Sequence, residues 1–128
     1  MFVRLTDAFG REDNDEILKA MRPGVAIEVP GNSPLAGHHR GSEEVHAFLV
    51  GLQRVFVPTE KPFEFVHNGN EMVMSQVLRA RATEWTHRYR ITFDEAGRVE
   101  RILFEPDDIE AFDALVKRVF ETTDSPAG

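Results

Sequence analysis

His87 and Tyr89 stand two residues apart in the run Trp85-Thr86-His87-Arg88-Tyr89-Arg90-Ile91, where ring-bearing or apolar residues alternate with polar ones. A period of two marks an extended strand, whose alternate side chains share one face and stand about 7 Å apart. A histidine can move a proton near neutral pH, and a tyrosine hydroxyl can polarise a carbonyl. Side by side they suit acid–base chemistry on a small carbonyl-bearing or epoxide-bearing molecule. The same two residue types also serve ordinary cores, satisfying each other or a backbone group. What separates the two cases is whether they face a hollow.

The flanking strands decide which way they face. A long strand runs from Glu71 to about Ala82, a second from Trp85 to Phe93, and a third from Arg98 to Glu105 beyond the turn at 94–97. With Thr83-Glu84 as a two-residue hairpin turn, Ala82 faces Trp85, Ala80 faces His87, Leu78 faces Tyr89 and Gln76 faces Ile91. Across the next turn Tyr89 faces Ile102 and His87 faces Phe104. One sheet face then carries Met72, Met74, Gln76, Leu78, Ala80, Trp85, His87, Tyr89, Ile91, Ile102 and Phe104. The other carries Ser75, Arg79, Arg81, Thr86, Arg88, Arg90, Arg101 and Glu105. The first is the concave, helix-covered face, apolar except for Gln76, His87 and Tyr89. A few convergent polar groups in apolar surroundings are the pattern of a small-molecule site. His87 and Tyr89 are therefore the catalytic candidates. Gln76, Trp85, Met74 and Phe104 are candidates for orienting a substrate or walling the pocket.

Upstream, Phe2, Leu5 and Phe9 fit one face of a short helix ended by Gly10. Asp13 with Glu16 forms a capping box for a second helix carrying Ile17, Leu18 and Met21. Pro23-Gly24 turns the chain into a strand at 25–29, followed by a Pro/Gly-rich loop holding His38, His39 and Arg40. Ser42 then caps a helix whose stripe is Val45, Phe48, Leu49, Leu52 and Phe56. Pro58 and Pro62 bracket a loop, and Phe63 and Phe65 begin a strand ending at the turn 67–70. Asp107 and Glu110 cap a last helix with Ile109, Phe112, Val116 and Val119 on its buried side. A single domain spanning 1–121 is expected, with a tail from Thr122 that frays.

The run from Val25 through Pro30-Gly31-Asn32-Ser33-Pro34-Leu35-Ala36-Gly37 to Gly41, with Glu44-Val45 and Phe48-Leu49 beyond it, resembles the SnoaL-like branch of the nuclear-transport-factor-2-like superfamily. The closing run Phe93-Asp94-Glu95-Ala96-Gly97-Arg98-Val99, continuing to Asp108, is also typical of it. The resemblance covers almost the whole chain. It implies an α+β fold, a curved antiparallel sheet wrapped around helices into a cone-shaped, cystatin-like α+β barrel. It also implies a pocket for a hydrophobic small molecule and a homodimer formed through the outer sheet face. The activities it suggests are cofactor-independent isomerase, polyketide-cyclase or dehydratase chemistry, or a related hydrolysis. A non-catalytic binding or scaffold domain is the alternative. Ketosteroid isomerase, in the same superfamily, uses an Asp base with a Tyr and a protonated Asp as oxyanion hole. Its base would fall on Val29 to Asn32, where no carboxylate stands, and its protonated Asp would fall on Tyr89. SnoaL-like cyclases pair an inward His, matched by His87, with a carboxylate near the end of the last strand. Here the nearest are Glu105, outward in this register, and Asp107. The loop bearing His38 borders the pocket mouth in such proteins, which makes His38 a further candidate for substrate contact.

Composition narrows the partners. The chain has 128 residues, 41% hydrophobic and 29% charged, enough for one core and too few for two. A net charge of −7 argues against nucleic acid and anionic membrane, and the face that carries the arginines lacks the aromatic stacking partners that single-strand binding requires. There is no cysteine, hence no thiol nucleophile and no thiolate metal site. His39, Glu43 and His46 give only one copy of a helix-borne ligand motif that diiron sites use twice, so no metal is expected. No apolar run is long enough for a membrane span and no leader pattern opens the chain, so a cytoplasmic protein is expected.

Overall fold

The computed structural model describes residues 13–61 and 64–123. The expected helix around Phe2, Leu5 and Phe9, the strand start at Phe63, and the last residues of the tail lie outside them. In chain order the elements are α1 (Asn14–Lys19), β1 (Met21–Val29), β2 (Gly37–Arg40), α2 (Ser42–Val55), β3 (Val57–Pro58), β4 (Glu64–Asn68), β5 (Glu71–Ala80), β6 (Thr83–Phe93), β7 (Val99–Pro106) and α3 (Ile109–Thr123). The strands form one sheet in the order β2-β1-β7-β6-β5-β3, with β4 also paired to β5. It is curved and does not close on itself. The fold is α+β as expected, but the sheet is not purely antiparallel, because β1 runs parallel to β7.

Helix starts follow local chemistry. The Asp13 side chain accepts from the Glu16 amide and caps α1. Met21, expected on that helix, instead opens β1 opposite Val99. Pro23-Gly24 does not precede the strand but lies within it, at an irregularity between Met21 and Ala26. A bulge tolerates both the missing proline N–H and the +80° φ of Gly24. Gly41, not Ser42, is the residue before α2. For α3 the capping carboxylate is Asp108, which accepts from the Ala111 amide. The expected cap Asp107 pairs with Arg88 instead, at 3.0 Å. The helix continues to Thr123, past the expected start of the tail.

The hairpin turn also moved. Arg81 and Ala82, with φ of 52° and 65°, make the turn rather than Thr83-Glu84. Gln76 consequently faces His87 and Met74 faces Tyr89. In the next pair Tyr89 faces Phe104 and His87 faces Pro106. The first register differs from expectation by four residues and the second by two, and an even shift leaves every side chain on its original face. The concave face is as read: Met72, Met74, Gln76, Leu78, His87, Tyr89, Ile91, Ile102 and Phe104 are all buried. Against it pack Val45, Phe48, Leu49 and Leu52 of α2, and Phe112 and Val116 of α3. Ile109, expected on the buried side of α3, is instead exposed.

The outer face is a lattice of ion pairs: Arg101 with Glu28 at 3.2 Å, Arg90 with Glu71 at 3.5 Å and Glu105 at 3.7 Å, and Arg22 with Glu100 at 2.8 Å. Among the described residues no helix is long and apolar enough to cross a membrane.

Candidate functional site

Six of the seven site candidates converge on the concave side of β5, β6 and β7. Tyr89, fully buried, donates from its hydroxyl to Gln76 Oε1 at 3.4 Å, long for such a bond. Its ring packs edge-on against Phe104 at 5.3 Å, and Met74 lies directly across the ladder from it. Tyr89 and Gln76 line an interior hollow of about 20 Å³, walled by Ile17, Leu49, Leu52, Gln53, Phe56 and Leu78. That is room for about one water molecule. Gln53, one of its walls, exchanges two side-chain amide hydrogen bonds with Asn14, at 3.1 and 2.8 Å, tying α1 to α2.

His87 is fully buried and boxed by rings: Phe56 at 4.6 Å, Phe104 at 5.0 Å and Phe112 at 5.5 Å between centroids. Neither ring nitrogen has a hydrogen-bond partner among the described residues. Burial penalises the charged form and pushes its pKa down from 6.5 to about 3. At neutral pH the ring is therefore uncharged, with one N–H donor and one lone pair. Trp85 is half-buried against Phe56 at 5.6 Å, and its Nε1 is likewise without a partner.

His38 is the one candidate whose side chain does not turn inward. The segment read as a loop forms β2, whose side chains alternate, so the two adjacent histidines part company. His39 turns inward, its Nε2 at 2.8 Å from the Leu35 carbonyl and its ring near Phe48. His38 turns outward, its Nδ1 at 3.5 Å from Glu28 and its Nε2 at 3.2 Å from Arg40. It lines an open hollow of about 570 Å³ with Glu28, Arg88, Glu105, Ile109 and one of the other six candidates, Phe104.

No carboxylate of the last strand reaches the concave face. Glu105 pairs in register with Arg88 and sits on the outer side, and no bulge precedes Pro106. A carboxylate does come to the end of β1, from a place the sequence order hides. Asp113 of α3, buried, accepts at Oδ2 from the Asn32 amide at 2.9 Å, while its Oδ1 has no hydrogen bond. Sequence reasoning also passed over Phe56 and Phe112 as site residues, placing them only on helix stripes.

No family model matches the sequence, and no curated protein matches it either. Solved structures do. A nuclear-transport-factor-2-like protein of Burkholderia xenovorans is 24% identical with a TM-score of 0.68, over 92% of this chain and 91% of that one. A Silicibacter pomeroyi protein described as having a cystatin-like fold is 16% identical with a TM-score of 0.78, over 98% and 86%. A Sinorhizobium meliloti protein proposed to be a polyketide cyclase is 20% identical with a TM-score of 0.59, over 78% and 88%. At these identities the likeness establishes the fold: nuclear-transport-factor-2-like, with a cystatin-like sheet.

Proposed function

We propose that the chain binds a hydrophobic, carbonyl-bearing small molecule on its concave sheet face and converts it by cofactor-independent acid–base chemistry of the isomerase or cyclase kind. The observation that carries this is the Tyr89–Gln76 pair at a hollow in an otherwise apolar interior, with an unpartnered His87 one step along the same strand. The likeness to the Sinorhizobium meliloti protein adds support. The Tyr89 hydroxyl exchanges its long bond to Gln76 for one to the substrate oxygen and holds the developing oxyanion. His87, uncharged, takes up the proton. Its pKa makes it a weak base in the empty site, but an enolate held by Tyr89 favours the imidazolium through opposite charge. Trp85, Met74 and Phe104 shape the wall.

One observation favours a second reading, a binding or scaffold domain without turnover: the hollow of about 20 Å³ is smaller than any such substrate. A panel of hydrophobic ketones, screened for thermal stabilisation and then for turnover, separates the readings. His87→Ala abolishes turnover if the chain is a catalyst, and only weakens affinity if it is a binder. Absence of any stabilising ligand leaves the scaffold.

For the assembly, the proposal is a homodimer through the outer sheet face. The open hollow that His38 lines joins apolar Val29, Pro30, Leu103 and Pro106 to charged Glu28, Arg88 and Glu105, and includes the exposed Ile109. Sedimentation at twice the 14.5 kDa chain mass, reverting to one chain mass with Ile109→Lys, is the expected result. A wild-type monomer sinks it.

A further inference from the structure

One aromatic ring divides the polar groups of the concave face that have partners from those that do not. Phe56 forms part of the wall of the hollow at Tyr89 and Gln76. On its other sides it stands edge-on to Trp85 and to His87, at 72° and 85°, and lies parallel to Phe112 at 4° and 5.8 Å. Trp85 Nε1 and both His87 nitrogens, all buried, have no hydrogen-bond partner among the described residues. A native fold seldom leaves such groups unpaired, and three around a single ring call for an explanation.

Phe56 is fully buried at the end of α2. It is the residue at which α2 stops, with extended backbone (φ −121°, ψ 143°), and its amide closes the last helical bond to Leu52. The two residues after it, Val57 and Pro58, form a short exposed strand. A side-chain rotation at this junction breaks no helical turn.

We propose that Phe56 is the gate of the site and the stand-in for its substrate: the ring swings aside, and a flat aromatic ring bearing a carbonyl oxygen takes its place on Phe112. Displacing Phe56 joins the small hollow to the space beside Trp85 and His87, giving one pocket in place of a water-sized void. The slot selects a planar ring, because Phe112 presents a parallel face. It selects an oxygen acceptor, because an indole nitrogen can only donate and a neutral imidazole has one N–H to give. Tyr89 then lies at the far end of the opened pocket. This inference rests on the reading that the concave face holds a carbonyl substrate, and it narrows that substrate to aromatic ketones and related ring carbonyls.

Trp85 is the only tryptophan in the chain, so its indole N–H gives a single unambiguous nitrogen–proton resonance. The full-length chain is titrated with 2-acetonaphthone and, separately, with cyclohexyl methyl ketone. The wild type is compared with Phe56→Leu and Phe56→Ala; the leucine variant keeps most of the packing should the alanine variant not fold. The expected result is a saturable downfield shift of the indole signal with 2-acetonaphthone, and at least tenfold tighter binding in Phe56→Leu. The cyclohexyl ketone binds more weakly by a similar factor. Saturable shifts at Tyr89 with a stationary indole signal and an affinity unchanged by Phe56→Leu overturn the gate and leave the carbonyl-binding reading standing. No saturable shift with either ketone, in wild type or variants, overturns the reading itself.

Discussion

Asp113 is seated against Gly31 so closely that a β-carbon at position 31 would collide with its carboxylate. The contact brings the middle of α3 onto the turn leaving β1, where the same carboxylate receives the Asn32 amide. Gly31 has φ of +91°, a conformation side-chain-bearing residues avoid. Gly31→Ala therefore carries two penalties, a strained backbone and a clash with buried groups, together about 3 kcal/mol. Chemical denaturation measures it. Asp113→Ala relieves the clash but also strips the Asn32 amide of its acceptor, so the expected result is a double variant that costs less than the sum of the two singles. A Gly31→Ala protein as stable as wild type contradicts this contact.

The depressed pKa of His87 ties stability to pH. In the unfolded chain the imidazole takes a proton near 6.5, but in the folded protein not until about 3. The unfolded state thus binds the extra proton first, and stability present above pH 6.5 is lost as pH falls toward 3. At pH 5 the loss is about 2 kcal/mol. That pH lies above the ordinary carboxylate range, and Glu84 and Asp94, both held below it by their hydrogen bonds, bring their own losses only at greater acidity. Urea midpoints of wild type and His87→Phe at pH 7 and pH 5 provide the check. The variant should show a much flatter dependence between them, and at pH 7 should be at least as stable, since the ring it removes has unpaired nitrogens. Equal slopes would show that His87 is not the group responsible.

Period-two patterning carries one bit per residue, which face it occupies, and that bit survives an even slip of register. This is why Gln76, His87 and Tyr89 could be placed on the concave face although the two pairings were displaced by four and by two residues. The first displacement came from a turn with neither glycine nor asparagine, Arg81-Ala82, which offers no compositional signal. Pro23-Gly24 misled in the opposite sense: its breaker chemistry is real but is absorbed inside β1 as an irregularity. The polar run His38-His39-Arg40 reads as loop because an edge strand with one open face needs little hydrophobic content. Phe56 against His87, and Asp113 against Asn32, join residues 31 and 81 positions apart. No local pattern encodes such meetings. Helical stripes say that Phe56 and Phe112 are buried, not what they are buried against.

The Arg81-Ala82 turn leads to a stabilising substitution. A two-residue hairpin turn with both φ positive favours Asn-Gly, and Ala82 holds a φ of 65° at a cost glycine does not incur. Ala82→Gly should raise stability by about 1 kcal/mol, allowing for the greater freedom of glycine in the unfolded chain. The melting temperature of a chain this size would rise by roughly 3–5 °C. Calorimetry decides. A lower melting temperature would mean that the hairpin turns elsewhere, for instance at Thr83-Glu84.

α1 has six residues, too short to hold its own helical shape in water. What holds it is the burial of Ile17 and the paired amides of Asn14 and Gln53, which fasten it to a wall of the Tyr89 hollow. Each amide both donates and accepts, so removing one leaves two unmatched groups on the other. A double-mutant cycle of Asn14→Ala and Gln53→Ala should therefore return a coupling energy of roughly 1 kcal/mol, the double variant costing less than the sum of the singles. Amide hydrogen exchange adds a local readout. In either single variant exchange should quicken in α1 while the β5–β6 amides keep their protection, because the fastening ties α1 to α2 and does not hold the sheet. Additive energies, or exchange that quickens equally in the sheet, would assign the seating of α1 to Ile17 packing alone.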